Sequence, residues 1–216
     1  MASALKKFTP HIIIFFFLLI GAVLFIRLKS YSVLNPLPQD VVIGRENAPV
    51  TIVMFGSYEC SVSGEFFKTH YPAIKSEYID TGKARFVYRN FYADISSSDA
   101  VATEAALCAN EQGRFWDYNA VLFEKMNEWL NRYGSKETEE IFNPVFTEYA
   151  GSLELDTNTF SACLYQHKYR SRLRDEFNYA HEIGVAKTPS FYINGLMIDG
   201  LPSLDDFKSI LSKFSY

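Results

Sequence analysis

Strand signals at both ends of the chain, with a long strand-free middle, predict an α/β fold. The expected order is ββαβ, then a helical block, then ββα, with helices on both faces of a split sheet. Three observations carry the prediction. "VTIVMFG" (Val50–Gly56) is apolar on both faces and closed by glycine, as a central strand is. "SFYING" and "LMIDG" meet at Asn194-Gly195, a dipeptide that favours the tight turn of a hairpin. Between about Asp99 and Gly184, helix formers dominate and β-branched runs vanish.

The first segment lies outside this frame. Ile12–Ile26, "IIIFFFLLIGAVLFI", is unbroken apolar sequence, and its tolerable flanks extend it from Phe8 to Leu28. That is near the roughly 20 residues a spanning helix needs. Arg27 and Lys29 follow directly and no convincing small-x-small cleavage site comes after them. An uncleaved membrane anchor is therefore preferred over a cleaved signal peptide, with residues 1–35 as anchor or signal and linker. "KSYSVLNPLPQD" reads as an extended spacer around Pro36 and Pro38.

The main domain is expected over residues 36–216. "DVVIG" (Asp40–Gly44) opens it as a short strand, followed by the Val50–Gly56 strand. From Cys60 to about Asp80, Phe66, Phe67, His70, Ile74 and Tyr78 recur near helical spacing, with a kink expected at Pro72 and a stop at Gly82. "ARFVYRNF" (Ala84–Phe91) completes a βαβ unit. The helical insertion, about residues 97–184, starts at Ser and Asp capping candidates. It continues through a helix around Pro144 and one long helix from Thr159 to Ile183, capped near Asp156. Ser203 then caps a final helix, with Asp206 at its third position as a weak capping box.

Composition narrows the function. Net charge is −4, yet residues 1–35 carry four bases and no acid, so the remainder holds 17 bases against 25 acids. A part that acidic repels a phosphate backbone, and nucleic acid is excluded as an expected partner. His167 and His181 lack paired Cys or His spacing, so neither a metal nor another cofactor is expected.

Chemistry concentrates in "FGSYECSVSGEFF" (residues 55–67), a buried strand running into Cys60 at a helix start. Unpaired N–H groups and the positive end of the helix dipole favour a thiolate there. A redox C-x-x-C helix would carry a second cysteine three residues on; here Ser63 stands in that place. A disulfide donor needs two sulfurs, because the second cysteine leaves or attacks to resolve the mixed disulfide. Ser63 can offer a hydrogen bond to the thiolate but no sulfur. The three cysteines also permit a Cys108–Cys163 pairing that would leave Cys60 as the odd, reactive one, against the alternative of two buried, unpaired thiols.

Four passages in order, "NAPVTIVMFGSYEC", "PAIKSEYIDTGKARFVYRNF", "ALCANEQGRFWDYNAVLF" and "GVAKTPSFYING", resemble the DsbA-like branch of the thioredoxin-fold disulfide oxidoreductases. The resemblance runs from about Val42 to Phe214. It implies a thioredoxin fold with an all-helical insertion, Cys60 and Ser63 as the catalytic pair of positions, and a cis-proline loop at Thr188 and Pro189 beside them. In the family, the backbone preceding that proline pairs with an extended substrate segment. The chain departs from the family at Ser63, and at Ser61, where a proline often follows the first cysteine. The implied function is a cell-envelope enzyme, membrane-anchored and facing the periplasm or extracytoplasmic side. It would act on exported proteins with thiols or disulfides, by exchange, isomerase-like or mixed-disulfide chemistry. Another substrate thiol or glutathione would release Cys60, and a membrane redox partner or glutathione is the expected redox partner. The alternative is an inactive DsbA-like binding module or chaperone for unfolded exported proteins.

Overall fold

The computed structural model describes residues 14–24, 37, 39–92, 94, 96–133 and 139–214. One five-stranded mixed sheet, in the order β1-β3-β2-β4-β5, organises the domain. Its strands are β1 (Val42–Gly44), β2 (Val50–Gly56), β3 (Ala84–Asn90), β4 (Ser190–Ile193) and β5 (Leu196–Asp199). Only β2 and β3 run parallel; every other neighbour is antiparallel. The two ends of the chain thus build one sheet, joined where Ile52–Phe55 pair with β4.

β2 is buried along its full length. Its alternation sends Ile52 and Met54 into the larger core and Val53 and Phe55 into a smaller one on the other face. The larger core is crowded with rings. Phe66 lies 5.8 Å from Phe86, 5.0 Å from Phe191 and 5.9 Å from Phe207, so one side chain of the first long helix ties β3, β4 and the last helix together. At the hairpin tip Asn194 and Gly195 both take positive φ, 45° and 89°, as the inferred turn requires.

That first helix, α1 (residues 61–79), alternates between α-helical turns (Ser61–Glu65, Tyr71–Ile74) and π-helical turns (Phe66–His70, Lys75–Ile79). Pro72 cannot donate a backbone hydrogen bond, and a wider turn sits directly ahead of it. Two π-helical turns flank the segment that carries Pro72.

The insertion contributes α2 (Ser98–Asn110), α3 (Phe115–Glu124), α4 (Met126–Tyr133), α5 (Glu139–Ser152), α6 (Thr157–Tyr165) and α7 (Arg170–Glu182); α8 (Leu204–Ser212) closes the chain. Pro144 lies inside α5. Asp156 caps α6 through Asn158 and Thr159, and Ser203 caps α8 by accepting from the Asp206 N–H. The single helix expected from Thr159 to Ile183 is two. His167 takes a left-handed φ of 49°, and the turn lets Arg170 reach Glu104 of α2 at 2.8 Å. No glycine or proline marks that break in the sequence.

Residues 14–24 are helical, and their large apolar side chains are exposed, Phe17 at 72%. At 1.5 Å per residue this segment spans about 16 Å, half of a bilayer core. Among the described residues, no helix is long and apolar enough to cross a membrane. The rest of the expected Phe8–Leu28 span, and the Pro36 and Pro38 spacer, lie outside the described residues.

Candidate active site

Between β2 and α1 the chain turns through Ser57–Cys60. Gly56 enters the turn tightly: a Cβ on it would stand 2.6 Å from the Tyr88 ring. Cys60 is the N-cap of α1, extended at φ −89° and ψ 113°, and its carbonyl accepts from the Gly64 N–H at 3.1 Å. Its side chain is half-buried and is the free thiol among the described cysteines. The sulfur points across to the start of β4, where Sγ lies 3.4 Å from the Thr188 carbonyl oxygen. The Thr188–Pro189 peptide is cis. Residues 128 apart in sequence thus share one hydrogen bond.

Ser63 sits one turn below and is completely buried. Its hydroxyl accepts from the Ser57 N–H at 3.4 Å. No hydrogen bond joins it to Cys60 among the described residues. The reason is placement, since Ser63 occupies the inward face of α1 under the turn. Cys108 of α2 and Cys163 of α6 form a disulfide with Cα atoms 5.9 Å apart, tying the insertion to itself.

Two carboxylates bind the active-site turn to the insertion. Glu59 Oε1 accepts from the Asp99 N–H at 3.0 Å and from the Ser98 hydroxyl, capping α2 at its positive end. Asp99 Oδ1 in return accepts from the Tyr58 N–H at 2.8 Å and from the Asn90 amide at 3.2 Å. Each segment's carboxylate satisfies the other segment's backbone. Asp99 is 2% exposed. Burial pushes its pKa up to about 7, with the Glu59 charge adding to the rise, against hydrogen bonds from Ser57, Tyr58 and Asn90. Tyr58 extends the contact by donating to Asn119 Oδ1 of α3 at 2.9 Å. Burial, then Asp99, holds its phenol protonated.

The sequence does not announce this clasp. In it Asp99 shows only as a capping candidate and Glu59 only as a polar neighbour of Cys60. No local signal links residues 40 apart. His70, expected as a packed residue, is buried, with Nε2 3.0 Å from the Pro202 carbonyl. Among the described residues no cluster of His, Cys, Asp and Glu could hold a metal ion. The arrangement offers one sulfur, held at a helix start against a backbone acceptor. It can attack a disulfide and form a mixed disulfide, but has no neighbouring thiol to close a bond within the chain.

Known proteins share this fold. A family profile described as thioredoxin matches residues 37–213. The probable disulfide bond formation protein D of Bacillus anthracis is 27% identical over 176 residues, covering 79% of this chain and 76% of that protein. Among solved structures, alpha-DsbA1 of Wolbachia pipientis aligns with a TM-score of 0.75 at 23% identity, over 86% of this chain and 96% of that one. Oxidised BdbD from Bacillus subtilis aligns with a TM-score of 0.69 at 23% identity, over 81% and 91% of the two chains. At those identities the structural likeness speaks for the fold.

Proposed function

The chain belongs to the DsbA-like branch of the thioredoxin family and is a thiol–disulfide oxidoreductase; on that basis we propose that Cys60 alone carries the exchange. The observation behind this reading is the 3.4 Å approach of Cys60 Sγ to the Thr188 carbonyl beside Pro189. A backbone carbonyl there is also an acceptor for an extended substrate segment laid along the loop. Thr188 and Pro189 would then position the substrate while Cys60 reacts.

The step conserves atoms and electrons. The Cys60 thiolate attacks one sulfur of a substrate disulfide, the substrate S–S bond breaks, and the other substrate sulfur leaves as a thiolate. A substrate thiol, or glutathione, then attacks the mixed disulfide and releases Cys60 in its starting state. Ser63 has no sulfur with which to do this internally. Net oxidation by this chain is therefore excluded from the proposal, and exchange or isomerisation of existing disulfides is what remains.

The substrates are exported proteins carrying thiols or disulfides, met at the extracytoplasmic side. The Phe8–Leu28 run is proposed as the tether, with the catalytic domain over residues 36–216 and its helical insertion over about 97–184. The Cys108–Cys163 bond supports an oxidising compartment, and the exposed apolar helix at residues 14–24 supports insertion into lipid.

The test is direct. A scrambled-disulfide protein is incubated with the chain and quenched by alkylation, then resolved without reduction. Native protein should accumulate an adduct mapped to Cys60 and speed the recovery of native pairing when glutathione is added. Cys60→Ser should lose both. Equal recovery with Cys60→Ser would replace this reading with a binding module that grips unfolded chains without chemistry.

A further inference from the structure

His70 lies on the buried face of α1 with Ser63, Phe66 and Ile74. Its ring packs against Phe66 and Phe207, with centroids 6.1 and 6.4 Å away. A phenylalanine would fill that space with no polar atom to satisfy. Both ring nitrogens are instead engaged: Nε2 lies 3.0 Å from the Pro202 carbonyl oxygen and Nδ1 lies 2.7 Å from the Thr69 hydroxyl. A carbonyl only accepts, so Nε2 carries the hydrogen. Pro202 precedes Ser203, the N-cap of α8, so its carbonyl stands outside that helix's own hydrogen bonds and is open to a partner.

The bond from His70 reaches the Thr188–Pro189 segment in two steps. Gly200, just ahead of Pro202 in the chain, donates its N–H to the Pro189 carbonyl at 2.9 Å. Beside it Ser190 pairs with Asp199 across the hairpin, and the Ser190 hydroxyl lies 3.1 Å from Asp199 Oδ1. A shift of Pro202 is thus passed on to Pro189. Among the described residues, two hydrogen bonds join α1 and its cap to residues 185–203: Cys60 to Thr188 and His70 to Pro202. The first needs the thiol proton. It is lost when Cys60 becomes a thiolate, and a mixed disulfide has no proton with which to restore it. The second involves no reacting atom and survives both changes.

We propose that His70 is a positioning residue: through Pro202 it holds the Thr188–Pro189 segment against α1 once Cys60 has given up its proton. A substrate backbone laid along Thr188 then stays within reach of the sulfur that attacks its disulfide. This effect on rate rests on the reading of Cys60 as the exchanging thiol and Thr188 as the substrate acceptor; the holding itself does not. Because His70 acts through the loop, small disulfides with no backbone to lay along it should react without its help.

The holding is read by amide hydrogen exchange over residues 187–203, with Cys60 either free or capped by methyl methanethiosulfonate, which puts a methylthio group in place of the thiol proton. His70→Phe keeps a ring against Phe66 and Phe207 and removes the donor, whereas His70→Gln keeps a side-chain N–H at similar reach. With Cys60 free, both variants should exchange within about twofold of the native chain. Capped, His70→Phe should exchange about tenfold faster than the capped native chain, the share of one hydrogen bond, and His70→Gln should stay within about threefold of it. Equal exchange in the capped native and His70→Phe proteins, or an acceleration just as large with Cys60 free, overturns the proposal. If His70→Phe does not fold, Thr69→Val at an exposed position removes the hydroxyl beside Nδ1 and decides instead. Capped, it should exchange about threefold faster than native, and no change overturns the proposal.

The rate is read separately, as release of thionitrobenzoate from a short cysteine peptide carrying that group and from the small symmetric bis-nitrobenzoate disulfide. Attack by Cys60 on the peptide sulfur forms the mixed disulfide and expels the coloured thiolate. His70→Phe should slow the peptide about tenfold and leave the small reagent within about twofold. If both slow together, His70 only packs and the proposal falls. If loop exchange behaves as expected while the native chain reacts with no peptide at Cys60, the exchange reading falls and the role of His70 in holding the loop stands.

Discussion

The two sides of the Cys60 turn are held in opposite ways. Toward the insertion the buried polar groups of the turn are committed: Glu59 to the α2 terminus, Asp99 to Tyr58 and Asn90, Ser63 to Ser57. Toward β4 the sulfur has a single long contact, to Thr188, and is half-exposed. The committed side fixes the backbone from which the thiol projects. The open side leaves the sulfur and the Thr188 carbonyl free to exchange partners. The Cys60 sulfur is thus positioned by contacts made one residue before it and three after it, while its own side chain makes only the contact to Thr188.

The strongest perturbation asks whether the insertion serves the site through its own integrity. Replacing Cys108 and Cys163 by serine together releases a cross-link of sequence separation 55. The chain-entropy model puts the loss near 4 kcal/mol, read from denaturant unfolding. The alkylation rate of Cys60 in the folded protein should change by less than about twofold, because the clasp at α2 survives. A large change in that rate would mean that the two sides are coupled through the whole insertion.

Next comes pH. Asp99 holds its proton up to about pH 7 when folded and releases it near 3.8 when unfolded. Between those values the folded chain binds more protons, so stability falls as pH rises from about 4 to 7 and is level above that. The fall is at most about 4 kcal/mol. Asp99→Asn keeps an acceptor for Tyr58 and removes the ionisation, so its stability should lack this slope and exceed the native value at pH 8. A native profile that rises across the same window would contradict the assignment of a buried carboxyl whose desolvation outweighs its hydrogen bonds.

A smaller change belongs to Glu59. Glu59→Gln retains an acceptor and removes the charge facing the α2 dipole, which should cost about 0.5–1 kcal/mol, and less at high salt. Salt-independent loss would point to the hydrogen-bond geometry as the dominant contribution.

These contacts also mark where sequence reading reaches and where it stops. β2 was legible because a strand buried on both faces must be apolar throughout. The hairpin was legible because Asn194-Gly195 meets a backbone demand few dipeptides meet. Ser203 and Asp156 announced their helices by local capping chemistry. The break at His167 carried no such mark, since it is set by tertiary contacts of Arg170 with Glu104. The clasp of Glu59 and Asp99 depends on two segments brought together by the fold. In the candidate site, Cys60 and Ser63 were legible from the strand–helix junction, and Thr188 and Pro189 through family resemblance; their supporting shell was not.

On the proposed reading, the open and committed sides belong to a redox helix that lacks only its second sulfur. Residues three apart on a helix share one face, with Cβ atoms about 5–6 Å apart, and a modest closure of the first turn brings them to disulfide distance. Ser63→Cys supplies the missing atom, and its activity is read with a reduced test protein and an electron acceptor. The variant should cycle between a dithiol and a disulfide that joins Cys60 to the introduced cysteine. It should oxidise the test protein, whereas the native chain forms only Cys60 adducts. A folded Ser63→Cys protein that gains no oxidase activity and forms no intramolecular disulfide would show that more than a sulfur is missing.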